Sequence, residues 1–192
     1  DIRPSAIVTP KALHNAMVIH SAIGGSTNAV IHLPAIGEEL GLELPLSRWN
    51  EISGKVPHLV NITAGSNFTM EDFDAAGGIP AVMKELGGLL HLDVRTVTGK
   101  LLGENIRKGR NRNPKVIHPL SDPVYPQGAI AVLKGNLAPA GAVVKQTAVA
   151  HEMLEHRGPA KVFDSEDEAK EALLDHKIVL GDVVVIRYEG PK

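Results

Sequence analysis

The stretch Ile23-Gly24-Gly25-Ser26-Thr27-Asn28-Ala29 constrains this chain more than any other. Two adjacent glycines open backbone angles closed to other residues and leave room for a ligand to approach. Ser26, Thr27 and Asn28 then supply side-chain oxygens and an amide where an apolar helical period begins at Ala29, the chemistry of a helix cap. A helix start presents unpaired N–H groups and a partial positive charge, so it favours a carboxylate or a phosphate. Taken alone, the pattern also suits a turn and a cap that bind nothing.

The flanking sequence supplies a helix on each side. Thr9 followed by Pro10 reads as an N-cap and a first helical position, and Leu13, Ala16, Met17 and His20 recur at helical spacing. A second apolar period runs over 29–40, closed by Gly41, with Pro34 placed to kink it. Ser47 suits the cap of a short helix, and 56–62 reads as a buried strand. Thr69 with Asp72 resembles a capping box, opening a helix that Gly77-Gly78 interrupts before another over 79–86. This alternation predicts an α/β region over 1–106.

Residues 107–115 are basic, contain glycine and proline, lack an apolar period and read as an exposed loop. Beyond them, over 116–192, short β-rich runs at 129–133, 142–145, 160–163 and 183–188 alternate with proline and glycine turns, which predicts a barrel or sandwich. One helix interrupts them, capped by Ser165 with Glu168, its inner face carrying Ala169, Ala172 and Leu173.

Composition removes several function classes. The formal net charge of −2 predicts no attraction to nucleic acid, and aromatics at 3% leave few platforms for bases. No cysteine is present, so the chain offers neither a disulfide nor a thiolate. No apolar run approaches the ~18 residues of a membrane span, and no secretory leader is visible, so a cytoplasmic protein without a membrane partner is expected. The nine histidines read as solvated surface groups: His14 and His20 diverge around a helix, as do His151 and His156, and nothing converges on Glu152 and His156. Neither a serine-nucleophile elbow nor a dinucleotide fingerprint occurs. What remains are ligand-positioning groups: Gly25, Ser26, Thr27 and Asn28 for an acid, and Thr98 and Lys100, the lysine as a positive charge. Thr98 equally suits the cap of a helix from Lys100 to Ile106, and Asn136 suits a left-handed turn.

His20-Ser21-Ala22-Ile23-Gly24-Gly25-Ser26-Thr27-Asn28-Ala29-Val30-Ile31-His32-Leu33 resembles the central segment of the dihydroxy-acid dehydratase and 6-phosphogluconate dehydratase family. Met70-Glu71-Asp72, Ala76-Gly77-Gly78-Ile79-Pro80, Thr96-Val97-Thr98-Gly99-Lys100, Gly135-Asn136-Leu137-Ala138-Pro139, Gly158-Pro159-Ala160-Lys161 and Gly181-Asp182-Val183-Val184 follow in the family's order. The resemblance implies the end of an α/β domain followed by most of a swivelling β-barrel domain, truncated at its C-terminal end, in the middle of a longer polypeptide. It implies a hydro-lyase of amino-acid or sugar-acid metabolism that turns a 2,3-dihydroxy acid into a 2-oxo acid, working as a homodimer or higher homo-oligomer. In that chemistry an iron–sulphur cluster draws off the hydroxyl, magnesium holds the carboxylate and a serine takes the proton. The cluster cysteines and magnesium-binding lysine come from earlier segments and the serine from a later one, so no catalytic or metal-ligating residue is expected here. One departure is that some relatives carry cysteine near the position of Val94. The alternative is a non-catalytic swivel-like binding or assembly domain acting with a partner chain.

Overall fold

The computed structural model describes residues 2–62 and 66–190, which divide into two compact units, 1–149 and 150–192. After a short helix α1 (Pro4–Ile7), the first unit is built around α2 (Pro10–Ile23). The Thr9 hydroxyl accepts from the Ala12 N–H at 3.2 Å, and Pro10 sets the first turn, as the sequence predicts. Leu13, Met17, Val18, Ile19 and Ala22 are all buried, so the second half of α2 is covered nearly all round. α2 ends where Gly24 takes a left-handed conformation (φ +63°) and the N–H groups of Gly24 and Gly25 both reach the His20 carbonyl.

The last-turn carbonyls of α2 find partners far along the chain: Ala129 N–H donates to Ser21 and Leu59 N–H to Ala22, at 3.2 and 2.8 Å. α3 (Ala29–Glu38) carries Pro34 within it. α4 (Ser47–Ser53) buries Trp49 and Ile52 against the core, but Ser47 is its first residue and makes no cap bond. The expected strand over 56–62 is reduced to two isolated bridges, His58 to Tyr125 and Val60 to Ile117. Its backbone is shared among α2, 116–118 and 125–127, so no ladder can lengthen. α5 (Met70–Ala76) opens on the Thr69–Asp72 capping box, and the Gly77-Gly78 break separates it from α6 (Gly78–Leu86). The short α7 (Leu102–Asn105) follows.

β1 (Ile130–Leu133) pairs antiparallel with β2 (Ala142–Lys145). Side chains of α4 serve β1 as well. Asn50 pairs both ways with the Val132 backbone at 2.8 and 2.7 Å, and Ser53 donates to the Ile130 carbonyl at 2.6 Å. The segment 107–115 has mostly exposed side chains, yet its backbone is tied in: Arg112 N–H reaches the Ala76 carbonyl at 2.8 Å.

In the second unit, β3 (Ala160–Phe163) and β4 (Val183–Ile186) pair in parallel across the crossover helix α8 (Glu166–Leu174). Ser165 caps α8 by accepting from Glu168 N–H at 3.1 Å, and Ala169 and Ala172 are buried. Leu173, expected on the inner face, is 59% exposed. The architecture is therefore α/β with two small sheets, and no barrel closes among the described residues. Four strands of four residues, paired two and two, are too few to close one. No helix among these residues is long and apolar enough to cross a membrane.

Candidate functional site

The loop 24–28 is shaped by two buried histidines beneath it. A Cβ added at Gly25 would lie 2.3 Å from Cδ2 of His20, and one at Gly24 would lie 2.7 Å from Nε2 of His58. The glycines are thus required by imidazole rings of this chain, which occupy the space any larger residue would need. The reading of all nine histidines as surface groups fails here, because His20 is 8% exposed and His58 is fully buried. Helical spacing places His20 on α2, but the ring that covers it, Trp49 at 5.0 Å, comes from α4 and is invisible to any local pattern.

The His20 Nε2 lies 2.7 Å from the Ser26 carbonyl. A carbonyl only accepts, so Nε2 carries the proton, and Nδ1 is left buried without a partner among the described residues. Burial pushes the His20 pKa below its ordinary value and the charge of Lys145 adds to this, against the opposing Ser26 bond. Burial and Lys145 likewise push His58 down to about 4. Backbone groups of Ile23 and Val60 lie near that ring and oppose the fall, but neither is in hydrogen-bond geometry. Both histidines are therefore neutral, and Lys145, at the end of β2, is a cation that acts on both. The sequence reading passed over Lys145 as a functional group.

Above the histidines, Ser26, Thr27 and Asn28 are exposed. The Ser26 hydroxyl accepts from Asn28 N–H at 3.3 Å, and the first turn of α3 uses tight bonds from Ala29 to Ser26 and from Val30 to Thr27, at 3.1 and 3.0 Å. Asn28 makes no side-chain cap bond, contrary to the cap chemistry its position suggests. Among the described residues the N–H groups of Ser26 and Thr27 and the Thr27 hydroxyl have no hydrogen-bond partner. The loop thus offers two N–H donors and a hydroxyl to solvent at the positive end of a helix, a set suited to a carboxylate.

Thr98 and Lys100 sit on a separate tight turn, where Thr96 N–H donates to the Lys100 carbonyl at 2.9 Å and Gly99 takes φ +80°. Thr98 does not cap a helix. Its hydroxyl is engaged by Asn105, whose amide spans Thr96 at 2.6 Å and Thr98 at 2.9 Å. The N-terminus of α7 is served by Glu104 instead, which accepts from Leu101 N–H at 2.9 Å. No hydrogen bond joins this turn to the loop 24–28 among the described residues. One largely apolar cleft of about 620 Å³ is lined by Ile23 and Ala29, which flank the loop, by Ile19 and His20 of α2, and by Met83 and Thr96. Gly25, Ser26, Thr27, Asn28, Thr98 and Lys100 themselves stay outside it.

Residues 1–105 match the sequence profile described as dihydroxy-acid/6-phosphogluconate dehydratase N-terminal, and 115–192 match the corresponding C-terminal profile. A dihydroxy-acid dehydratase of Acetivibrio thermocellus is 58% identical, covering 100% of this chain and 35% of the relative. The enzymes of that name from Methanococcoides burtonii and Caldanaerobacter subterraneus subsp. tengcongensis are 55% and 54% identical, over 97% and 100% of this chain and 34% and 35% of their own length. The chain thus spans about a third of the length of the curated relatives it matches.

Proposed function

Because this chain belongs to the dihydroxy-acid/6-phosphogluconate dehydratase family, we propose that it is the part of a longer hydro-lyase that helps to hold a 2,3-dihydroxy acid for dehydration to a 2-oxo acid. The observation that carries this reading is end-to-end similarity to enzymes named dihydroxy-acid dehydratase at more than half identity. In such a reaction the proton at carbon 2 and the hydroxyl at carbon 3 leave as water, and the resulting enol rearranges to the 2-oxo acid. An iron–sulphur cluster needs thiolates, and this chain has none. Among the described residues no three acidic or histidine side chains are grouped to hold magnesium. The donors present do not fit either group, so the role left to these residues is binding.

In that role the Ser26 and Thr27 N–H groups and the Thr27 hydroxyl grip the substrate carboxylate, with Gly25 letting the loop sit on the His20 ring and Asn28 closing the rim. Lys100, on its clipped turn, and Lys145 add positive charge. The division of the longer protein we place in the loop 107–115, between residues 1–105, matched by one family profile, and 115–192, matched by the next. The parallel sheet of the second unit has open edges to which further strands of a swivelling barrel could pair. A cytoplasmic homo-oligomer is the form proposed. The non-catalytic assembly module has no support from these relatives, which all carry an enzyme's name.

The test is turnover by the full-length polypeptide of a panel containing a branched 2,3-dihydroxy acid, a sugar acid and a phosphorylated sugar acid, with 2-oxo acid trapped as its hydrazone. Turnover of the branched acid is expected, and no product from any of the three would overturn the reading.

A further inference from the structure

We propose that His20 is a positioning residue for this binding loop, fixing the Ser26–Thr27 peptide so that the Thr27 N–H faces the substrate. The inference rests on the reading of 25–28 as a carboxylate site and adds the group that sets its geometry.

The Ser26 carbonyl points inward, held from one side by His20 Nε2–H at 2.7 Å and from the other by Ala29 N–H at 3.1 Å. A trans peptide is planar, with its C=O and N–H on opposite sides, and no cis bond occurs among the described residues. Holding the Ser26 oxygen inward therefore turns the Thr27 hydrogen outward, where it meets no protein acceptor. The imidazole itself has little freedom. It lies beneath Gly25 and stands edge-on to the fully buried Trp49 at 5.0 Å, and the N–H groups of Gly24 and Gly25 pin its own carbonyl. Losing the Nε2 donor leaves Ser26 with a single bond and lets the peptide plane rotate, which scatters the Thr27 N–H without removing it.

The experiment uses the full-length enzyme and 2,3-dihydroxy-3-methylbutanoate. His20→Phe keeps a ring in the space but removes the donor, and His20→Gln places an amide N–H at a similar reach. The expected result is a KM raised tenfold or more in His20→Phe, about 1.4 kcal/mol of binding, with kcat within threefold, and a KM restored to within threefold of wild type in His20→Gln. Equal KM values in the folded Phe and Gln variants, or a fall in thermal stability with KM unmoved, would overturn the proposal. Should His20→Phe fail to fold, His20→Leu against His20→Gln makes the same comparison of donor lost and donor kept. Thr27→Ala run beside them separates the two levels. A normal kcat/KM in Thr27→Ala together with an unmoved KM in His20→Phe overturns the loop as a substrate site and this inference with it. A weakened Thr27→Ala beside an unaffected His20→Phe overturns this inference alone.

Discussion

Gly24 and His58 are fitted against each other, for a Cβ on Gly24 would lie 2.7 Å from the Nε2 of an imidazole that is 0% exposed. Gly24 also holds φ +63°. Gly24→Ala therefore meets two penalties, overpacking against a ring that cannot retreat and a left-handed backbone carrying a side chain. Together they should lower stability by roughly 2–4 kcal/mol. Urea denaturation of the two proteins measures it, and a loss under about 0.5 kcal/mol, the scale of a neutral surface change, would show that His58 moves aside.

Thr27→Ala isolates binding from folding. The Thr27 side chain is exposed and makes no hydrogen bond among the described residues, so its removal should change stability by less than about 0.5 kcal/mol. If the hydroxyl holds substrate, kcat/KM falls by about tenfold or more. Ser26→Ala, by contrast, loses the 3.3 Å bond from Asn28 N–H, an exposed interaction whose loss should cost about 0.5 kcal/mol.

Acid should weaken the first unit through His58. Its pKa is held at about 4 by burial first and Lys145 second, against an ordinary 6.5. Between those values the unfolded chain takes up a proton that the folded chain refuses. The contribution is whole above pH 6.5 and is lost as pH falls towards 4, by about 3 kcal/mol in all. His20 shifts in the same direction and adds to the loss. Lys145→Gln removes one source of the depression, so the acid loss in urea midpoints should shrink. Identical pH profiles for wild type and Lys145→Gln would remove that charge from the account.

Asn105→Ala unclips the turn that carries Lys100. The exposed bonds from Asn105 to Thr96 and Thr98 are worth about 1 kcal/mol net, so the melting temperature should move little. The turn then samples more conformations, and if Lys100 contributes charge to substrate binding, KM rises with kcat nearly unchanged. A KM equal to wild type would place Lys100 outside the site.

Local chemistry explains what could be read from the chain alone. The caps at Thr9, Thr69 and Ser165 all join atoms within three residues, so sequence spacing contains the whole interaction. The glycine requirement at 24–25 was equally legible, but not what fills the space, because His58 and Trp49 arrive from remote segments. The run 56–62 looked like a strand because it is apolar and buried. Its backbone partners are helix ends and single bridges instead, a choice that depends on residues 116–129. Thr98 has the spacing of a cap but serves the turn instead, because its partner Asn105 lies beyond the first turn such a helix would have.

The two late bonds at the end of α2 set an order of assembly. Leu59 reaches the Ala22 carbonyl and Ala129 reaches Ser21, so the helix end stays unfinished until residue 129 has been synthesised. A nascent chain stopped short of β1 would leave α4 without the strand that Asn50 and Ser53 hold and the core without Ile130 and Val132, an adhesive intermediate. Ribosome stalling or truncation before residue 129 should therefore yield aggregates, whereas chains released beyond β2 can close the first unit.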